Sequence, residues 1–132
     1  VIDVIPDGFP EVVFSGQQTG FIPNLGGLTF GSAEIIDGAP NSGGAVCAAD
    51  LDGDGDVDIL SGSAYDDTIA WYENNGSQQF TKRVITDAAD YASSVFIIDL
   101  DRDGDRDILS TSGRDDTVAW YENLGPQSQA PQ

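Results

Sequence analysis

The chain has 132 residues, with 23 acidic and five basic side chains, no histidine, no methionine and a single cysteine. A formal net charge of −18 excludes nucleic acid as a partner, because phosphate binding needs a basic surface. The missing histidine excludes histidine-based triads and proton shuttles. No apolar run approaches the roughly 20 residues of a membrane-spanning helix, so no membrane span is expected, and Cys47 can form no internal disulfide.

The first element in chain order is an acidic loop, Asp3-Val4-Ile5-Pro6-Asp7-Gly8-Phe9-Pro10-Glu11. It is a worn copy of a loop that is complete twice further on, at Asp50-Leu51-Asp52-Gly53-Asp54-Gly55-Asp56-Val57-Asp58 and at Asp99-Leu100-Asp101-Arg102-Asp103-Gly104-Asp105-Arg106-Asp107. The 49-residue offset holds well beyond the acidic run, with 20 of 27 positions identical between 50–76 and 99–125. Asn24-Leu25-Gly26-Gly27-Leu28-Thr29-Phe30 aligns in the same way with Asn74-Asn75-Gly76-Ser77-Gln78-Gln79-Phe80, at an offset of 50. Repeats of about 50 residues are arrays of supersecondary units, none of which can bury its faces alone.

The second unit shows the order of elements whole. A continuous apolar run at 45–49, matched by 94–98 in the third unit, reads as a strand buried on both faces. The acidic loop follows, then a short β-favouring stretch at 58–63, matched by 107–111. Turns containing Asp66-Asp67 and Asp115-Asp116 lead to a third strand, seen at 117–122, and residues 80–85 form the fourth. No stretch carries helical periodicity over a useful length. Four short strands per repeat predict an all-β fold of β-propeller blades, of which about 2.7 are present. The expected units are a degenerate first blade at 1–44, a second blade at 45–93, a third blade at 94–125 lacking its outer strand, and a linker-like tail at 126–132. Propellers need at least about four blades, so the chain reads as a piece of a longer polypeptide, or as a subunit whose missing strands other chains supply.

The two complete loops have the pattern D-x-D-x-D-G-x-x-D, with carboxylates at positions 1, 3, 5 and 9 and glycine at position 6. Alternate residues turn oxygens inward, Gly55 and Gly104 permit the sharp bend, and the carbonyl of Asp56 or Asp105 becomes available as a further ligand. Hard oxygen donors at this density suit calcium before magnesium, which demands tighter octahedral geometry and keeps its waters. A merely solvated acidic turn explains the pattern poorly, because the crowded carboxylates repel without a cation. An EF-hand requires a bidentate Glu at position 12 and flanking helices, whereas Ser61 and Ser110 stand there and strands follow. In the first copy Ile5 offers no oxygen at position 3. Loop 3–11, with only Asp3, Asp7 and Glu11, is therefore expected to be empty or a weak site.

The acidic loop, the following Ile-Leu-Ser strand and the run Asp-Asp-Thr-(Ile/Val)-Ala-Trp-Tyr-Glu-Asn together resemble the FG-GAP/VCBS-type repeat. The resemblance is strong over 45–125 and weak over 3–44. It implies an integrin-α-like propeller with calcium in the loop joining the first two strands of a blade. It also implies that Asp50, Asp52, Asp54, Asp56 and Asp58, and likewise Asp99, Asp101, Asp103, Asp105 and Asp107, are the calcium ligands. The family is common in extracellular, cell-surface and secreted proteins that serve adhesion and ligand binding, so an extracellular location is expected.

The repeated Trp71-Tyr72 and Trp120-Tyr121 can be read as sugar platforms. Adjacent residues of a strand face opposite ways, however, so blade packing on both faces is the stronger reading. Cys47 aligns with Phe96 and is expected to be a small buried hydrophobe. The carboxylates are committed to cations, and Ser61 and Ser110 have no adjacent base, so no enzyme is expected. The expected function is a calcium-binding propeller module for adhesion, binding or structural assembly, whose partners are other blades or subunits and a protein or glycan ligand. The alternatives are a lectin-type glycan-binding module or a non-catalytic accessory domain of a secreted enzyme.

Overall fold

A computed structural model describes residues 2–38 and 44–125 of the chain. Ten strands form three antiparallel sheets, with no helix among the described residues; none is therefore long and apolar enough to cross a membrane. The first sheet is β1 (Val12–Ser15), β2 (Thr19–Ile22) and β3 (Glu34–Asp37), in that order. The second is the complete blade: β4 (Val46–Ala49), β5 (Asp58–Gly62), β6 (Ile69–Asn74) and β7 (Phe80–Thr86), paired in sequence. The third is β8 (Ala92–Ile98), β9 (Asp107–Ser112) and β10 (Thr117–Tyr121). The expected all-β meander of blades is the fold observed. The tail at 126–132 lies outside the described residues, as do Val1 and 39–43.

The repeat frame survives where its sequence has worn. Ile2 makes an isolated bridge to Glu11, the remnant of an inner strand, so β1, β2 and β3 correspond to β5, β6 and β7. One boundary shifts: β8 begins at Ala92, before the boundary at 94, across a register irregularity between Ala92 and Ser94. Ser93 Oγ lies 2.9 Å from Thr111 Oγ1 on β9 and extends the contact between the two strands.

Burial lies between sheets, as expected of units that cannot cover themselves. Ile59, Ala70 and Tyr72 of the second blade pack with Val4 and Phe21 of the first. The other face of the same strands, with Leu60 and Ile69, packs with Ala92, Val95 and Ile108 of the third, and Trp71 and Tyr121 lie against that cluster. Trp71 and Tyr72 therefore serve opposite faces of β6, the alternation that strand geometry requires. Cys47 packs in the second cluster, and burial pushes its thiol up to about 11, which makes it an unreactive hydrophobe. The blades are also strapped by polar contacts. Tyr72 donates its hydroxyl to Asp37 at 2.8 Å, and the Lys82 ammonium reaches the same carboxylate oxygen at 2.7 Å.

Candidate metal centres

Each acidic loop joins the inner strand of its blade to the next strand, and the same hydrogen bonds shape all three. The first-position carboxylate accepts the N–H of the sixth-position glycine: Gly8 to Asp3 at 3.1 Å, Gly55 to Asp50 at 2.9 Å, Gly104 to Asp99 at 3.1 Å. These glycines have φ between +88° and +97°, a region that side chains disfavour. The ninth-position carboxylate accepts the N–H of position 2: Val4 to Glu11 at 2.7 Å, Leu51 to Asp58 and Leu100 to Asp107, both at 2.9 Å. Both ends of the loop are thereby tied before any ion enters.

The loops draw together three carboxylates apiece. Oxygens of Asp50, Asp52 and Asp58 lie within 4.8 Å of one another, as do those of Asp99, Asp101 and Asp107. The first loop does the same with Asp3, Asp7 and Glu11, its fifth position standing in for the carboxylate that Ile5 lacks. Opposed oxygens around an ion at 2.3–2.6 Å are separated by about 5 Å at most, so each trio is spaced to share one cation. Two observations show that the residues fit such an ion. Asp3 Oδ1 and Asp99 Oδ1 are buried and accept no hydrogen bond, a costly state for a carboxylate oxygen without a partner. In the second loop burial, together with the charges of Asp58 and Asp54, pushes the Asp52 carboxyl up to about 7, the signature of a charge that wants compensation.

The remaining expected ligands stand elsewhere. Asp54 and Asp103 lie outside the close trios; each accepts the N–H of position 7, Asp56 at 2.8 Å and Asp105 at 2.9 Å. The Asp56 side chain lies against Gly76, where an added Cβ would come within 2.7 Å of its Oδ2, and Asp105 lies against Gly125. Phe9, at the same position of the first loop, covers Gly26. Position 7 thus packs on the Asn-x-Gly turn of its own blade, and its side chain faces away from the trio.

That turn supports the site, a role the alignment of Asn24 with Asn74 shows only in outline. The N–H groups of Asn24, Asn74 and Asn123 donate to Glu11, Asp58 and Asp107 at 3.4, 2.8 and 2.9 Å. Their side-chain amides donate to the carbonyls of position 8, Pro10, Val57 and Arg106, at 3.0–3.1 Å. Each side-chain oxygen accepts the N–H of Gly26, Gly76 or Gly125 at 3.0 Å. The balance of burial and hydrogen bonding at the ninth position differs between the two loops. Burial dominates at Asp58 and leaves it above the usual range; at Asp107 burial is outweighed by the N–H groups of Asn123 and Leu100, which hold it below.

The family model of the FG-GAP-like repeat matches the chain twice, over residues 3–61 and 50–110. No curated protein matches it. Among solved structures the chain is similar to a lectin from Agrocybe aegerita that recognises non-reducing terminal N-acetylglucosamine, with 24% identity and a TM-score of 0.61. That likeness covers 94% of this chain and 34% of the lectin chain, so the chain spans about a third of that relative's length, and the resemblance is one of fold.

Proposed function

The chain belongs to the FG-GAP-like repeat family, and on that premise we propose that it is a calcium-held set of propeller blades in an extracellular or cell-surface protein, serving binding or adhesion without catalysis. One observation carries this reading. Each of three loops brings three carboxylate oxygens within 4.8 Å of one another, from positions 1, 3 and 9 in the two complete loops and 1, 5 and 9 in the first, with the same backbone donors bracing all three. Asp50, Asp52 and Asp58, with Asp99, Asp101 and Asp107, would hold calcium, and Asp54 and Asp103 stand near enough in sequence to complete the shell as the loops close. Calcium tolerates the six to eight oxygens and irregular geometry such loops offer, and two ions would bring the charge from −18 to −14. Other blades of a parent polypeptide, or other subunits, complete the array.

Calorimetric titration of the chelated chain tests the reading. Calcium uptake at millimolar or lower concentration is expected, with an affinity on the order of 10⁻⁴–10⁻³ M as in extracellular modules, together with a rise in melting temperature. Identical melting in calcium and in chelator would refute it. A glycan-binding reading is favoured by one further observation, an open cleft between the second and third blades beside loop 50–58.

A further inference from the structure

The cleft has a volume of about 180 Å³, and its walls include Asp52, Trp71, Arg106, Tyr121, Glu122 and Asn123. The corresponding seam between the first and second blades is composed differently. By repeat register Ile5 stands there in place of Asp52 and Val57 in place of Arg106, and both pack against the apolar cluster of that seam. Ile5 is therefore more than a lost ligand, because with Val57 it makes one seam apolar, while Asp52 and Arg106 line an open cleft at the next. Stability alone is served by the apolar pair. A few convergent polar groups on aromatic and aliphatic walls are the composition of a ligand site.

From this difference we propose that the cleft between the second and third blades binds one neutral sugar ring, and that the cation of loop 50–58 organises it. The proposal deepens the glycan-binding reading, and its cation arm rests on the calcium reading above. Size sets the first limit: 180 Å³ falls below the roughly 300–1,000 Å³ of sites for drug-sized ligands, so a single ring fits. Charge sets the second. Asp52 belongs to the cation trio as well as to the cleft wall, and once an ion takes its charge Glu122 and Arg106 remain as one acceptor group and one donor group with no net charge. Hydroxyl groups, which donate and accept at once, match that pair better than a charged ligand does. Trp71 and Tyr121 supply flat apolar walls, and Arg83 lies over the Trp71 ring, 5.7 Å from its centroid. The Asn123 amide donates to the Leu51 carbonyl at 3.0 Å and ties the third blade to the cation loop of the second, so closure of that loop reaches the cleft mouth.

Saturation-transfer NMR and tryptophan fluorescence on the full chain, against a panel of neutral, uronic and amino methyl glycosides, test the proposal, with calcium uptake measured on the same samples. At least one neutral glycoside should bind in calcium and weaken about tenfold or more, 1.4 kcal/mol or above, in chelator. Arg106→Val, which gives the third blade the residue of the second, should abolish binding, and Glu122→Gln should weaken it. Calcium uptake without any neutral glycoside bound, a preference for charged glycosides, equal binding in chelator, or undiminished binding by a folded Arg106→Val chain would each overturn the proposal and leave the calcium reading standing. Failure to take up calcium would instead overturn that reading.

Discussion

Asp52 has few compensations. Its Oδ1 accepts only the Asp54 N–H, at 3.1 Å, whereas Asp58 and Asp107 accept two backbone N–H groups each. A carboxyl pushed up to about 7 in the folded chain, from 3.8 when unfolded, favours folding below its unfolded value and withdraws that support as pH rises through about 7. Asp107, held down, acts in the opposite sense: its contribution is present above its unfolded value and lost as pH falls through the folded one. The metal-free chain should therefore lose stability progressively as pH rises from about 4 to about 7 and melt lowest at pH 8. Asp52→Asn should flatten the alkaline limb, and calcium should remove it; thermal melts at pH 5, 6.5 and 8 in chelator and in calcium measure this. Asn74 is buried, and its side chain bridges Val57 and Gly76. Asn74→Ala should cost about 1–3 kcal/mol and weaken calcium uptake at loop 50–58, read from urea melts and titration. The acidic pattern makes the trio legible in sequence at once, because carboxylates at alternate positions advertise a cation. Asn74 and Asn123 are harder to see: their partners lie 16 residues away across a blade, and Asn-x-Gly alone reads as an ordinary turn.

Among the elements, the strands of the second and third blades could be read from composition, since apolar runs, glycine stops and the repeat itself agree. The first blade keeps the same pairing with altered sequence because each loop is fixed by backbone donors, which any residue supplies. Sequence groups Asp7 with Asp3 and Glu11 as a worn site, but it does not show that the three carboxylates come together. With Ile5 at position 3, the first loop brings its fifth-position carboxylate into the trio, a substitution that depends on loop path and not on spacing. Pro6 and Pro10 restrict that path, and three carboxylates hold an ion less firmly than a fuller shell. Calcium titration should accordingly show two stronger sites and a third, weaker one, with Asp7→Asn removing only the third. Ile5→Asp should strengthen the weak site and lower metal-free stability by about 1–3 kcal/mol, because it places a carboxylate beside the apolar seam against which Ile5 packs. Isotherms of the three chains compared side by side decide this; an Asp7→Asn chain that retains every site would remove Asp7 from the trio.

At the scale of the molecule, the third blade repeats the second without its cover. Val118 is 73% exposed where its repeat mate Ile69 is 0%, and Leu100 is 44% exposed where Leu51 is 6%. Phe96, Ile98 and Trp120 stand open on the same blade, whereas Ala49, the counterpart of Ile98, is buried, and Cys47 and Trp71, the counterparts of Phe96 and Trp120, pack against the seam with the third blade. β10 has β9 as its one sheet neighbour among the described strands, whereas its counterpart β6 also pairs with β7. An apolar face and an open strand edge together favour pairing with further polypeptide. The face is continuous in kind with a seam the chain already builds, and we propose as its cover another blade, presenting small and branched apolar residues as Ala92, Val95 and Ile108 do to the second. We expect the 132-residue chain in isolation to associate or to bind a hydrophobic dye, and Trp120→Lys with Val118→Lys to suppress both while leaving calcium uptake intact. Light scattering that finds a stable, fully folded and dye-silent monomer of the unaltered chain would show that this face needs no cover.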